Sequence, residues 1–180
     1  MERIHALDFR FPPGGAEGLI ARFDRLGRRA AIVGAEGHGK SSLLARLAPA
    51  FERVGRPVRR FAARPGEPAA ARLRALLGGM APGELLLLDG FDHLPRLARF
   101  GLLLRAAKIA GLLATSHRPE GTLPTLVELA PSVDLLRDLA RDLAGDEAEG
   151  LDFAEIHRRN GGNVRTALRE LYDLWGERRR

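Results

Sequence analysis

A short apolar run, a glycine-punctuated loop and a helical pattern follow one another without a break in RAAIVGAEGHGKSSLLARL, Arg29 to Leu47. Ala30–Val33 is continuous rather than alternating, as in a strand covered on both faces, and such strands belong to parallel sheets. Gly34 to Ser41 reads G-A-E-G-H-G-K-S, a full match to G-x-x-x-x-G-K-[ST]. Glycines at 34, 37 and 39 let successive backbone N–H groups turn inward around an anion with no Cβ in the way. A helix starting near Lys40 adds the positive end of its dipole. Lys40 supplies a mobile point charge for β- and γ-phosphates, and the Ser41 hydroxyl a ligand for Mg²⁺. Gly34, Glu36, Gly37, His38, Gly39, Lys40, Ser41 and Ser42 are therefore the expected phosphate-binding set.

The rest of the chain repeats the strand-then-helix rhythm. Apolar runs at Ala30–Val33, Val58–Ala62, Leu85–Leu88, Gly111–Thr115 and Thr125–Leu129 predict five strands. Helical stretches are expected at Ser41–Val54, Pro68–Leu77 and Pro95–Ala110, with Pro49 kinking or ending the first. This alternation predicts an α/β domain with a mainly parallel sheet over residues 1–130. After Pro131 the pattern is helical only, predicting a small lid over 131–180. Ser132 is placed to cap a helix to Ala144 whose face is Leu136, Leu139, Ala140 and Leu143. Asp152 and Glu155 have capping-box spacing. Val164, Ala167, Leu168, Leu171, Tyr172 and Trp175 share the face of a last helix.

Two further strands end in polar residues. ELLLLDGFDHL delivers Asp89 from a buried strand, where a carboxylate holds the Mg²⁺ shell beside a phosphate loop. Many such proteins follow that aspartate with a glutamate that polarises water; this chain has Gly90. Asp92 is the nearest acid, a base or else the N-cap of the next helix, and Glu36 is a weaker base candidate. GLLATSHRPEG ends in Thr115, Ser116 and His117, any of which would face a γ-phosphate. The five histidines (5, 38, 93, 117 and 157) show no metal-ligand spacing, so no zinc site is expected.

GAEGHGKS, LLLLDGFDHL and LLATSHRP together resemble the ATPase core of the AAA+ and STAND P-loop NTPases. The second and third are closest to the NACHT-like branch, with its D-G-x-D and T-S-R-P signatures. The resemblance spans roughly Arg29 to Pro119 and extends weakly to GGNVRTALREL, similar to the lid helix with the sensor-2 arginine. It implies a P-loop three-layer sandwich with a five-stranded sheet and a helical lid. It also implies Asp92 as first acid of an acidic pair, Ser116 at sensor 1 and Arg165 as the lid arginine. The catalytic set it suggests is Lys40, Asp89, Asp92, Ser116 and Arg165, with Ser41 and Asp89 on Mg²⁺. His93 stands where a second acid is usual, and His117 is inserted into T-S-R-P. Phe9 and Phe11 lie where related folds seat adenine, though ordinary core packing accounts for them better.

The expected activity is Mg-ATP binding with slow hydrolysis, coupled to a protein partner or self-assembly. A nucleotide-gated module with little hydrolysis is the alternative, as is an ATPase acting on nucleic acid. The net charge of +6 and pI near 11.0 favour a nucleic-acid partner only weakly. Of the 29 basic residues only Lys40 and Lys108 are lysine, and the arginines are spread along the chain rather than clustered. Absence of cysteine excludes disulfides and thiolate metal sites. The N-terminus lacks a signal-peptide core, and the most apolar stretch, 101–114, is interrupted by Arg105 and Lys108. A cytoplasmic protein with no membrane association is expected.

Overall fold

The computed structural model describes residues 14–130 and 132–178. Phe9, Phe11 and His5 lie outside them. Five strands form one sheet: β1 (Arg29–Val33), β2 (Val58–Ala62), β3 (Leu85–Asp89), β4 (Gly111–Ser116) and β5 (Thr125–Glu128). Their order is β2-β3-β4-β1-β5 and every neighbouring pair is parallel. Helices α1 (Gly15–Arg25), α2 (Lys40–Arg53), α3 (Ala69–Gly78) and α4 (Arg96–Ala106) accompany the sheet. The chain then continues as α5 (Val133–Ala144), α6 (Phe153–Arg159) and α7 (Val164–Arg178). The architecture is an α/β three-layer sandwich with C-terminal helices.

Strand alternation assigns the side chains to two faces. Ala31, Val33, Leu86, Leu88, Leu112 and Ala114 pack with Leu73 and Leu77 of α3 and Leu102 and Ala106 of α4. The opposite set, Ala30, Ile32, Leu85, Leu87 and Leu113, is also buried. Helix α2 packs on β1, β3 and β4 through a face that buries Leu43, Leu47 and Phe51. Phe23 of α1 meets Phe51 edge to face at 5.4 Å. Each such large side chain contributes roughly 1.5–3 kcal/mol by burial. The β2 edge is kept polar by Arg59 and Arg60, with Arg59 paired to Glu84 at 2.7 Å.

The structure departs from the sequence reading in two places. Pro49 neither ends nor splits α2, which runs through it to Arg53. Proline removes one N–H bond to the carbonyl four residues back, but Ala45 and Pro49 both lie on the exposed side, where water can serve that carbonyl. Helix α1 was not anticipated; Leu19, Ile20 and Phe23 form its buried face.

The chain divides into two compact units. One holds the sheet with α1–α4; the other holds Ala35–His38 together with the chain from Leu129 on. In the second unit Ser132 Oγ accepts a hydrogen bond from Leu135 N at 3.2 Å, the anticipated cap. Asp152 Oδ1 likewise accepts from Glu155 N at 3.0 Å. The unit has its own core, in which Leu136, Ala140, Phe153, Ile156, Ala167, Leu168, Leu171 and Trp175 are buried. Tyr172 is not part of that face: it is 41% exposed. Among the described residues no helix is long and apolar enough to cross a membrane.

Candidate functional site

The sheet order explains why chemistry gathers at one edge. Strand β4 lies between β1 and β3, so the C-terminal ends of all three emerge side by side, where open α/β sheets bind ligands. Register makes the alignment specific. Val33 is level with Ser116, and Leu88 with Ala114, so Asp89 and Thr115 finish level with each other.

The loop after β1 turns on glycines. Gly37 and Gly39 have φ of 79° and 80°, in the left-handed region that favours glycine. Gly39 is the N-cap of α2, whose first residue, Lys40, is only 7% exposed. The next residue, Ser41, donates from Oγ to Asp89 Oδ1 at 2.9 Å. Thr115 Oγ1 donates to the same carboxylate oxygen at 2.7 Å and accepts from Gly90 N at 2.8 Å. A hydroxyl from the first turn of α2 and a hydroxyl from β4 thus converge on one carboxylate. These hard oxygen donors suit Mg²⁺, and the dipole end with a buried lysine suits phosphate.

Thr115, rather than Ser116, touches Asp89. Alternation is the reason: Thr115 and Asp89 share one face, whereas Ser116 follows Ala114 and Val33 onto the other. The Ser116 hydroxyl donates to Glu120 Oε1 at 3.2 Å. Glu120 also pairs with Arg99 at 3.4 Å, and Arg99 donates to the Asp92 carbonyl at 2.6 Å and the Leu94 carbonyl at 2.8 Å. Glu120 and Arg99 are absent from the expected site, and Thr115 stands there only as one of three residues at the end of its strand. Period-two alternation along β4 was the one available signal, and it picks out Thr115.

Asp92 does not cap the following helix. Helix α4 begins at Arg96 after Pro95, whereas Asp92 sits in a 3-10 turn, Phe91–His93. Its Oδ2 is 2.5 Å from His117 Nδ1 and accepts from His117 N at 3.3 Å. Burial, the largest influence, pushes the Asp92 carboxyl up; the His117 hydrogen bond and charge, with backbone N–H bonds, outweigh it and hold the group below the ordinary carboxylate range. The histidines have no metal-ligand spacing along the sequence, but the fold brings two of them beside Asp92. Asp92, His93 and His117 each offer a ligand atom within 4.8 Å of the others. Sequence spacing missed this because the fold, not the local chain, brings His117 to the turn.

Gly90 explains the missing glutamate. Its φ is 87°, and a Cβ there would strike the Ala63 carbonyl oxygen. A side chain at this position requires the backbone to move.

In the other unit, His38 Nδ1 is 2.8 Å from the Leu129 carbonyl, to which its ring N–H donates. The Asn163 side chain occupies the place where a Cβ on Gly37 would sit. Asn163 Oδ1 also accepts from Arg165 N at 3.0 Å and Thr166 N at 3.2 Å, opening α7. Arg165, Glu36, Ser41 and Ser42 are exposed, while Gly34 is buried.

No protein-family model matches the sequence, and no curated protein matches it. Solved structures do. The Thermotoga maritima RuvB Holliday junction branch migration motor superposes with a TM-score of 0.59 at 14% identity, over 89% of this chain and 61% of that one. A single-residue variant of the same protein gives 0.57 at 17% identity, over 86% and 57%. A DNA replication initiation factor gives 0.53 at 18% identity, over 92% and 62%. The chain thus spans about three-fifths of the length of these structures. What they share with it is the fold, an α/β three-layer sandwich with a five-stranded, mostly parallel sheet and C-terminal helices.

Proposed function

We propose that this chain binds Mg-ATP and hydrolyses it slowly, coupling nucleotide state to a partner or to self-assembly. The observation that carries the reading is the Ser41–Asp89 contact of 2.9 Å at the N-terminus of a helix entered through a glycine loop. The proposed division is a nucleotide-binding core over 1–130 and a lid over 131–180, in a cytoplasmic protein of NACHT-like STAND character. Mg²⁺, when bound, neutralises charge developing between the β- and γ-phosphates. Gly34, Glu36, Gly37, His38, Gly39 and Ser42 belong to the loop whose backbone N–H groups wrap the phosphates, and Lys40 adds its charge. Ser41 and Asp89 supply oxygen donors to the metal shell, with Thr115 fixing the Asp89 carboxylate. Asp92 accepts the proton of the attacking water, Ser116 senses the γ-phosphate, and Arg165 reports nucleotide state from the lid. An acid held below the usual range is a weak base, which accounts for slow turnover.

Two observations favour the second reading, a nucleotide-gated module with little hydrolysis. Position 90 cannot take a glutamate without backbone movement, and the Asp92 carboxylate is already engaged by His117. The net charge of +6 leaves DNA or RNA among the partners to try, read as salt-sensitive stimulation of turnover. Phosphate release from Mg-ATP, with nucleotide binding measured in parallel and Lys40→Ala as control, tests the proposal. Turnover that disappears in the variant supports an ATPase; Lys40-dependent binding without turnover supports the gated module; neither binding nor turnover refutes both.

A further inference from the structure

We propose that Asp92, His93 and His117 form a binding site for a divalent transition-metal ion of the Zn²⁺ class, separate from the oxygen donors of Ser41 and Asp89. Three observations carry it. One ligand atom from each residue lies within 4.8 Å of the others. The two imidazole rings face one another at 5.6 Å between centroids, tilted by 57°. Asp92 Oδ1 is buried and has no hydrogen-bond partner among the described residues, although Oδ2 is held by His117. A buried carboxylate oxygen with nothing to accept from is costly, and a cation answers that need directly.

The donor set decides the metal. Two imidazoles and one carboxylate suit Zn²⁺, Ni²⁺, Cu²⁺ or Co²⁺, while Mg²⁺ prefers oxygen ligands alone. Tetrahedral bonds of about 2.0–2.1 Å put ligand atoms about 3.3 Å apart. With all three ligand atoms within 4.8 Å of one another, small side-chain movements would bring them onto one ion. The supports are firm. Phe91, fully buried, anchors the turn that bears Asp92 and His93, and His117 leaves a strand buried along its whole length. Arg99 is the neighbouring cation; it is engaged by Glu120 and by the carbonyls of Asp92 and Leu94. The open coordination positions would be filled by water.

A corollary rests on the ATPase reading: a metal here occupies the acid proposed as base, so Zn²⁺ would inhibit turnover in Mg-ATP. Binding itself does not depend on that reading and is measured without nucleotide. The full chain is titrated with Co²⁺ in excess Mg²⁺, following the visible d–d absorption, and then back-titrated with Zn²⁺. The expected result is one Co²⁺ per chain, displaced by Zn²⁺. His93→Ala and His117→Ala should each weaken binding by about tenfold or more, losses at least as large as those from removing outer-shell partners, while His157→Ala leaves it unchanged. His93→Gln and His117→Gln serve where alanine unfolds the chain, with circular dichroism as the check. Histidine ring-proton NMR of the unmodified protein should show Zn²⁺ broadening or shifting two rings. No stoichiometric absorption, or binding unchanged in folded His93 and His117 variants, overturns the site. If Zn²⁺ binds as described yet Lys40-dependent turnover is absent, the metal site stands and the ATPase reading fails.

Discussion

The two polar clusters at the end of β3 are three residues apart and differ in chemistry. Around Asp89 the partners are hydroxyls, from Ser41 and Thr115, next to the buried Lys40. Around Asp92 the neighbours are imidazoles, His117 hydrogen-bonded to it and His93 close by. One acid lies on the face toward α2 and its N-terminal dipole, while the other is carried past the strand by a glycine into a 3-10 turn. An all-oxygen cluster beside a lysine is suited to Mg²⁺ and phosphate. A nitrogen-bearing cluster is suited to holding a proton or a softer cation. Two carboxylates close in sequence thus meet different chemical surroundings.

The largest effect that would break this division is expected from Lys40→Ala, which should abolish Mg-ATP binding as read by nucleotide titration. Asp89→Asn should next lower phosphate release by about a hundredfold or more, on the scale of losing one preorganised electrostatic group. The corresponding Asp92→Asn change sharpens the contrast. On the ATPase reading it costs about 10²–10⁴ in turnover, the usual worth of a general base, and leaves nucleotide affinity intact. Equal loss of affinity in both variants would show the clusters to be one.

Stability effects are smaller and separate the two compact units. Leu136→Ala, fully buried in the helical unit, should cost about 2–5 kcal/mol in denaturant unfolding. Gly90→Ala should cost about 1–3 kcal/mol, through its left-handed φ and the contact with the Ala63 carbonyl. Gly90→Glu should then destabilise rather than accelerate hydrolysis.

The smallest effect is in pH. Asp24 is held low chiefly by its hydrogen bond from Arg56, and Asp92 by His117 against the opposing pull of burial. Acids lowered on folding contribute stability that is full above the unfolded value of about 3.9 and is lost as pH falls through the folded values. Denaturation curves through acid pH should therefore lose stability less steeply in Asp92→Asn than in the unmodified chain.

What the sequence disclosed follows locality. The glycine loop before α2 was legible because its glycines, Lys40 and Ser41 lie within a few residues of one another, and Asp89 because a continuous apolar strand delivers it. Ser132 and Asp152 were legible as caps for the same reason. Thr115 was underweighted, although alternation sets it opposite Ser116 and toward Asp89. Gly90 could be seen as a missing glutamate but not as a steric requirement, since the clashing atom belongs to Ala63, just past the neighbouring strand. The His93–His117 approach was hidden because nothing short of the β3–β4 register creates it. Pro49 misled because a proline's cost depends on which side of the helix it faces, and Tyr172 because it lies at the edge of a face that Leu168, Leu171 and Trp175 already fill.

The most direct test of the central claim is ATP affinity with Mg²⁺ and with EDTA, in the unmodified protein, Ser41→Ala and Asp89→Asn. The account expects tight binding that weakens when Mg²⁺ is removed, and a Mg²⁺ dependence largely erased in both variants. ATP affinity indifferent to Mg²⁺, or a full Mg²⁺ effect surviving in both variants, would contradict the assignment of the Ser41–Asp89 pair.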